Sequence, residues 1–224
     1  MKLKYKLKSD ASKLETQIEK SVLPENAFHA FFTNYTNNIN RIFNLIDIST
    51  VEALMHAIIA ARLRNSQIIL MGNGGSAAIA SHLAADLAKQ KFEGDEFLFR
   101  VMSLGDNLPW FSATANDFGY DNVFAQQLKV ILQPDDVVVA ISSSGNSKNV
   151  LNAISYANKK GAKTFGIVGF DGGKLLHIAQ QSIYIPTKIG QYELMEDVAG
   201  IVSHMISNYV FEQDCKVVPI LSHP

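Results

Sequence analysis

Two groups of residues in this 224-residue chain are of the kinds that bind anions and move protons. Residues 141–147 read Ile-Ser-Ser-Ser-Gly-Asn-Ser, directly after the apolar run Val-Val-Val-Ala, so four hydroxyls surround a Gly-Asn turn with no acid among them. Hydroxyls and the free N–H groups of a helix start together bind a phosphate without any cation. Turn and cap chemistry accounts for one or two of Ser142, Ser143, Ser144 and Ser147, but not readily for all of them. The second group is imidazole and carboxylate. His82 and Asp86 are four apart and share a helix face. Such a pair is either a surface contact worth roughly 0.2–0.5 kcal/mol, or two metal ligands, or an acid/base couple. Glu196 and His204 are eight apart on another helical stretch, about 12 Å along a straight axis, and converge only by reaching toward each other.

The elements that must position these groups follow from the apolar pattern. Residues 67–86 read as strand, turn and helix. The run 68–71 is short and unalternated, as in a strand buried on both faces. Gly72, Gly74 and Gly75 follow it, and Ser76 is expected to cap an alanine-rich helix. The free N–H groups of that helix start form a second candidate anion site. The loop lacks the glycine spacing of a dinucleotide fingerprint, and no Gly-Lys-Ser/Thr marks a P-loop. Further strands are expected at 99–104, 137–141, 163–168 and 182–185. Helices are expected at 110–115, 123–132, 148–160 and 175–179, with a polar loop at 116–121. Phe28, Phe31, Phe32, Tyr35, Ile39, Ile42, Phe43 and Ile46 recur at three and four residues, giving a helix with an aromatic stripe. Ser49 and Glu52 have capping-box spacing for a helix reaching Arg64. The last helix is expected over 192–211, with Val198, Val202, Met205 and Tyr209 as its core stripe and Glu196, Gly200 and His204 opposite. Strands alternating with helices in this way predict a doubly wound parallel sheet, whose ligands bind beyond the carboxyl ends of the strands where strand order reverses.

Composition narrows the class. With 47% apolar residues the chain buries a substantial core as one α/β domain with helical additions. Its net charge of −1 and lack of a basic run argue against nucleic acid as a partner. The single cysteine, Cys215, excludes an intrachain disulfide framework and fits a reducing, cytoplasmic setting. Residues 1–8 are basic without the apolar core of a signal peptide, and no apolar run reaches membrane-spanning length, so no membrane partner is expected. The expected organisation is an N-terminal arm over 1–24, the domain over 25–212 and a C-terminal tail over 213–224.

Four motifs, taken together and in order, carry a family likeness: Met-Gly-Asn-Gly-Gly-Ser at 71–76, Ala-Asn-Asp-Phe-Gly-Tyr at 115–120, Ile-Ser-Ser-Ser-Gly-Asn-Ser at 141–147 and Gly-Phe-Asp-Gly-Gly-Lys at 169–174. The combination resembles the phosphoheptose isomerases, which are sugar isomerase (SIS) domain proteins. The resemblance spans about residues 28–211. It implies a five-stranded parallel SIS sheet of the flavodoxin-like kind with additional N-terminal helices. It also implies a homotetramer with interfacial active sites, the aromatic helix lying in its core. The implied reaction is conversion of sedoheptulose 7-phosphate to D-glycero-D-manno-heptose 7-phosphate through an enediol.

By position, Ser142, Ser143, Ser144 and Ser147 match the family's phosphate loop, and Asn73, Gly74 and Ser76 its glycine-rich loop. Asp117 falls in the sugar-contacting loop. His82, Asp86, Glu196 and His204 match the positions that carry catalytic groups or hold a zinc ion. Asp86 and His204 are the implied proton-transfer pair, and Glu196 doubles as a substrate contact. The chain departs from the better-known members in having Asp86 for Glu, Glu196 for Gln, and Lys89 or Gln90 where they supply an Arg. Two other readings stand beside the isomerase: a non-catalytic SIS module binding a phosphosugar or a protein, and an isomerase of another sugar phosphate.

Overall fold

The computed structural model describes residues 26–89 and 98–221. The expected arm over 1–24, and Gln90, lie outside the described residues. The chain divides between Asn40 and Arg41 into two compact units. The described part of the first is helix α1 (Ala27–Phe43), which runs on past the division. Its aromatic stripe forms a continuous ridge, with Phe28 and Phe31 rings 6.3 Å apart and Phe31 and Tyr35 rings 5.7 Å apart.

After the end of α1, the second unit continues with α2 (Ile48–Leu63). Its N-cap is Asp47, whose side chain accepts from the Ser49 N–H at 3.0 Å. Ser49 is therefore capped rather than capping: Asp47 sits one residue before the first helical turn, where its oxygen meets a free N–H. There follow β1 (Gln67–Met71), α3 (Gly75–Ala88), β2 (Arg100–Ser103), α4 (Leu108–Phe118) and, after a single 3-10 turn, α5 (Val123–Ile131). Then come β3 (Val137–Ser142), α6 (Lys148–Lys159), β4 (Lys163–Val168), α7 (Leu175–Ile178), β5 (Gln181–Tyr184) and α8 (Tyr192–Leu221).

All strands are parallel, in the order β2-β1-β3-β4-β5. The chain steps outward from β1 to β2, then back across β1 to β3. Strand order thus reverses between β1 and β3, and the crevice at their carboxyl ends is the ligand position of such a sheet. Every residue of β3 is buried, as a central parallel strand covered on both faces requires. One face of the sheet packs Ile69, Met71, Val138 and Ala140 against Phe124, Leu128, Val150 and Ile154 of α5 and α6. On the other, α2, α3 and α8 pack together. Among the described residues no single helix is long and apolar enough to cross a membrane.

Three expectations are corrected. Residues 116–118 belong to α4, which continues until Gly119 adopts a φ of +78°. The last helix extends to Leu221, so the expected tail from 213 is helical over most of its length. Its buried stripe is Val198, Val202, Ile206 and Val210, whereas Met205 and Tyr209 are about half exposed. Both phases are apolar, and packing against α2 and α3 selects one of them.

Candidate active site

The glycine-rich turn after β1 is shaped by contacts that exclude side chains. A Cβ on Gly72 would lie 2.6 Å from the Ser76 carbonyl, and Gly74, the residue before α3, has φ +55° and offers no side-chain cap. Ser76 is not the cap: it lies inside the first helical turn and is buried. Gly75 faces Glu196 so closely that a Cβ would overlap the carboxylate. Asn73 exchanges amide hydrogen bonds with buried Asn149, at 3.0 and 2.9 Å, and its oxygen accepts from the Tyr120 hydroxyl at 2.8 Å. This ties the β1 turn to the start of α6 and to the turn after α4.

The serine loop after β3 is held from behind by residues 169–174. Gly145, at φ +60°, packs flat against the Gly172 carbonyl, and its own carbonyl accepts from Leu175 N–H at 2.9 Å. Asn146 donates to the Ser144 carbonyl at 2.9 Å while its oxygen accepts from Lys174 N–H at 3.2 Å. The Gly-Phe-Asp-Gly-Gly-Lys motif is thus a buttress for the loop. Ser142 and Ser144 hydroxyls accept from the N–H groups of Gly145 and Asn146, both at 3.2 Å. The Ser143 hydroxyl meets the Met195 sulfur at 3.2 Å, and Ser147, the α6 N-cap, makes no side-chain bond to its helix.

These two turns enclose a cleft of about 130 Å³ lined by Asn73, Ser76, Ser142, Ser143, Ser144 and Ser147, closed on one side by Tyr192 and Glu196 of α8. It lies at the switch point of the sheet, where two helix starts meet. Gly74 shapes the turn without lining the cleft, and Asp117 is exposed on α4, where it accepts from Asn116 at 3.0 Å. Tyr192 escaped sequence reading. The available signal was its place one helical turn before Glu196, in a series with Gly200 and His204.

The imidazole and carboxylate groups form a second cluster, between α3 and α8. His82 Nε2 and His204 Nε2 are 3.3 Å apart, and Asp86 Oδ2 lies 3.8 Å from the first and 3.7 Å from the second. Asp86 is buried, at 6% exposure, and its other oxygen accepts from the Lys89 ammonium at 2.6 Å. Its two oxygens are thus divided, one toward a cation and one toward the imidazoles. Glu196 does not join this trio; it stays in the serine cleft over Gly75.

Burial, then the neighbouring Glu193 and Asp197, hold the Glu196 carboxyl above the usual carboxylate range. The folded chain therefore binds this proton more tightly than the unfolded one. The resulting stability is present at low pH and is lost as pH rises from the ordinary Glu value through the raised folded value. Glu196→Gln, which keeps the shape without the charge, is expected to melt higher than the wild type at neutral pH. Below about pH 4, where Glu196 carries its proton, the two should melt alike. Thermal melts at both pH values check this; an equal difference at both would show that charge is not the cause.

Comparison with known proteins places the site in context. The SIS domain family model matches residues 31–169. The phosphoheptose isomerase of Sulfurimonas denitrificans is 39% identical over 140 residues, covering 62% of this chain and 71% of the relative. The probable phosphoheptose isomerase of Thermoplasma volcanium is 33% identical over 178 residues, covering 80% of this chain and 89% of the relative. A solved phosphoheptose isomerase structure from Francisella tularensis superposes with a TM-score of 0.74 at 20% identity, covering 84% of this chain and 97% of that one. One from Neisseria gonorrhoeae gives 0.71 at 24% identity, covering 82% and 96%.

Proposed function

We propose, from the premise that the chain belongs to the SIS domain family and within it to the phosphoheptose isomerases, that it converts sedoheptulose 7-phosphate to D-glycero-D-manno-heptose 7-phosphate. The observation that carries the reading is the buried Asp86 carboxylate facing His204 at 3.7 Å, on the same pair of helices that closes the serine cleft. The phosphate sits among Ser142, Ser143, Ser144 and Ser147, against the start of α6. Asn73 and Ser76 floor the cleft beside it, on the turn that Gly74 shapes. Asp117, three residues before the Tyr120 that bonds Asn73, is assigned a sugar hydroxyl.

Length supports this assignment. An opened heptose 7-phosphate has eight bonds between C1 and phosphorus, about 10 Å at the ~1.2 Å per bond of an extended chain. The two clusters on α8 are separated by the eight residues from Glu196 to His204, about 12 Å. Glu196 receives a middle hydroxyl of the sugar, and Gly200 between them leaves open space where a Cβ would stand.

Asp86 removes a proton from C1 of the bound ketose while His204 protonates the C2 carbonyl oxygen, giving the enediol. His204 then takes the proton from the C1 hydroxyl as that oxygen becomes the aldehyde carbonyl, and Asp86 returns its proton to C2. The cycle leaves both groups as they began.

The trio also suits a zinc ion. Bonds of about 2.0–2.1 Å at tetrahedral angles place ligand atoms roughly 3.3 Å apart, and those of His82, Asp86 and His204 already stand 3.3, 3.7 and 3.8 Å apart. Zinc held there, with a substrate oxygen completing the set, would polarise the C1 and C2 oxygens in place of the acid/base roles given to Asp86 and His204, since a lone pair bound to zinc takes up no proton. We further assign a homotetramer, from the exposed apolar side chains Phe28, Phe31 and Phe32 of α1 and Met205 and Tyr209 of α8, and a cytoplasmic location, from the single cysteine.

The test is turnover of sedoheptulose 7-phosphate by purified protein, with the product identified by NMR. Activity is expected to fall on chelation and return with added zinc. Absence of turnover by zinc-replete protein would overturn the reading, and activity indifferent to a chelator would remove the metal from it.

A further inference from the structure

Tyr192 closes the serine cleft, and the reaction as derived gives it no task. We propose that Tyr192 is a phosphate-binding residue of this cleft, its hydroxyl donating to the substrate phosphate and its ring fixed in place by Phe170. The proposal rests on the isomerase reading for its substrate and on independent geometry for the residue.

The first observation is the charge of the lining. Among the described residues that line the cleft, Asn73, Ser76 and the four serines are neutral and Glu196 alone carries a charged group. A phosphate dianion held there meets no cation among these lining residues, so its affinity depends on the number of neutral donors. Ser142 and Ser144 already accept from backbone N–H groups, which leaves their own protons to give outward. The Tyr192 phenol adds a further O–H donor. Lys148, at the start of α6, is paired instead with Asp121 at 3.5 Å.

The second observation is how the ring is held. Tyr192 lies in the first turn of α8, four residues before Glu196, so both side chains face the same side of the helix. Its ring meets that of Phe170 edge to face, with centroids 5.0 Å apart and planes at 75°. Phe170 is buried and has φ +49°, a conformation that a bulky residue adopts only where its surroundings impose it. They do so at both backbone groups. Phe170 N–H donates to the Thr187 hydroxyl at 3.1 Å, and its carbonyl accepts from the Tyr184 hydroxyl at 2.7 Å. A strained and doubly tied residue thus presents its ring to Tyr192. Phe170 belongs to the same 169–174 segment that supports the serine loop, so one segment sets both walls of the cleft.

The experiment compares wild type, Tyr192→Phe and Tyr192→Ala in calorimetric titrations with inorganic phosphate and with sedoheptulose 7-phosphate, alongside steady-state kinetics. Tyr192 is half exposed, so neither variant threatens folding. Tyr192→Phe is expected to weaken both ligands by about tenfold, the usual loss for a hydrogen bond to a charged group. KM should rise in parallel and kcat stay within about twofold. Tyr192→Ala should weaken both further, by the lost ring. Wild-type affinity for phosphate in Tyr192→Phe would overturn the proposal, as would a fall in kcat at unchanged KM. Binding weakened by the variants in a protein that never turns over would sustain the proposal and sink the isomerase reading. Turnover with unchanged affinities would do the reverse.

Discussion

Asp86→Asn is expected to lower kcat on sedoheptulose 7-phosphate by about 10²–10⁴-fold, the range set by losing a positioned proton-transfer group, while leaving the fold in place. The carboxylate is buried, with one oxygen 2.6 Å from the Lys89 ammonium and the other 3.7 Å from His204. Asparagine keeps the shape but accepts no proton from C1, and its NH2 must face either Lys89 or the imidazoles, all of which are donors or can be. Lys89 is 70% exposed, so its released ammonium is solvated and the lost pair costs about 0–1 kcal/mol at most. The melting temperature should therefore move little while turnover collapses. KM should hold, because the proposed phosphate site is a separate cleft on other residues. His204→Gln should cost a similar factor. The double variant should be little worse than either single one, because groups that act as a unit lose their joint effect once. Metal content of each variant separates a lost base from a lost ligand: inactive Asp86→Asn that still holds zinc would place the loss in proton transfer. Full activity in Asp86→Asn would remove Asp86 from the reaction.

How much of this was legible in the sequence depends on whether a feature is set locally. The strand at 163–168 and the five-stranded parallel order follow from short apolar runs punctuated by glycine and polar turns, and both stand in the structure. The serine loop was legible because four hydroxyls at a strand end exceed what a turn needs. The helix caps were not. Asp47, Ser49, Gly74 and Ser76 are all competent cap or turn residues, and which one caps is decided by backbone angles that composition does not carry. The phase of α8 failed for a related reason. Met205 and Tyr209 are as apolar as Ile206 and Val210, so period alone left two stripes, and contact with α2 and α3 chose between them. The same limit applies to Glu196. The family resemblance grouped it with His204 in one cluster, but a straight helix keeps them two turns apart, and only the facing helix shows which partner each acquires: Gly75 for one, His82 and Asp86 for the other. Tyr192 stood in helical series with Glu196, but its pairing with Phe170 left no trace in the sequence, because that relation depends on a positive φ at a residue other than glycine.

The segment 169–174 shapes the cleft from outside it, and Gly145→Ala tests that dependence most severely. At φ +60° an alanine there costs about 1–2 kcal/mol in left-handed strain. Its Cβ would also overlap the Gly172 carbonyl, which is backbone and has no rotamer by which to yield. Forced overpacking adds roughly 1–3 kcal/mol, so the sum is about 2–5 kcal/mol, or a fall in Tm on the order of 5–20 °C for a chain of this size. Gly161→Ala supplies the control. Its φ is +82°, with nothing within 4 Å of the added Cβ, so it carries the strain without the collision. It should cost about 1–2 kcal/mol alone. The two variants should differ more in function than in stability. Displacing Gly172 pulls at Leu175 N–H on the Gly145 carbonyl and Lys174 N–H on Asn146, the two bonds that pin the serine loop to its buttress. With the loop displaced, its hydroxyls no longer converge on one phosphate. KM of Gly145→Ala should therefore rise by an order of magnitude or more, as expected when one or two hydrogen bonds to a charged group are lost, while Gly161→Ala keeps wild-type KM. Melts and steady-state kinetics on both proteins decide the matter. A Gly145→Ala enzyme with the Tm and KM of Gly161→Ala would show that the 169–174 segment does not set the serine loop.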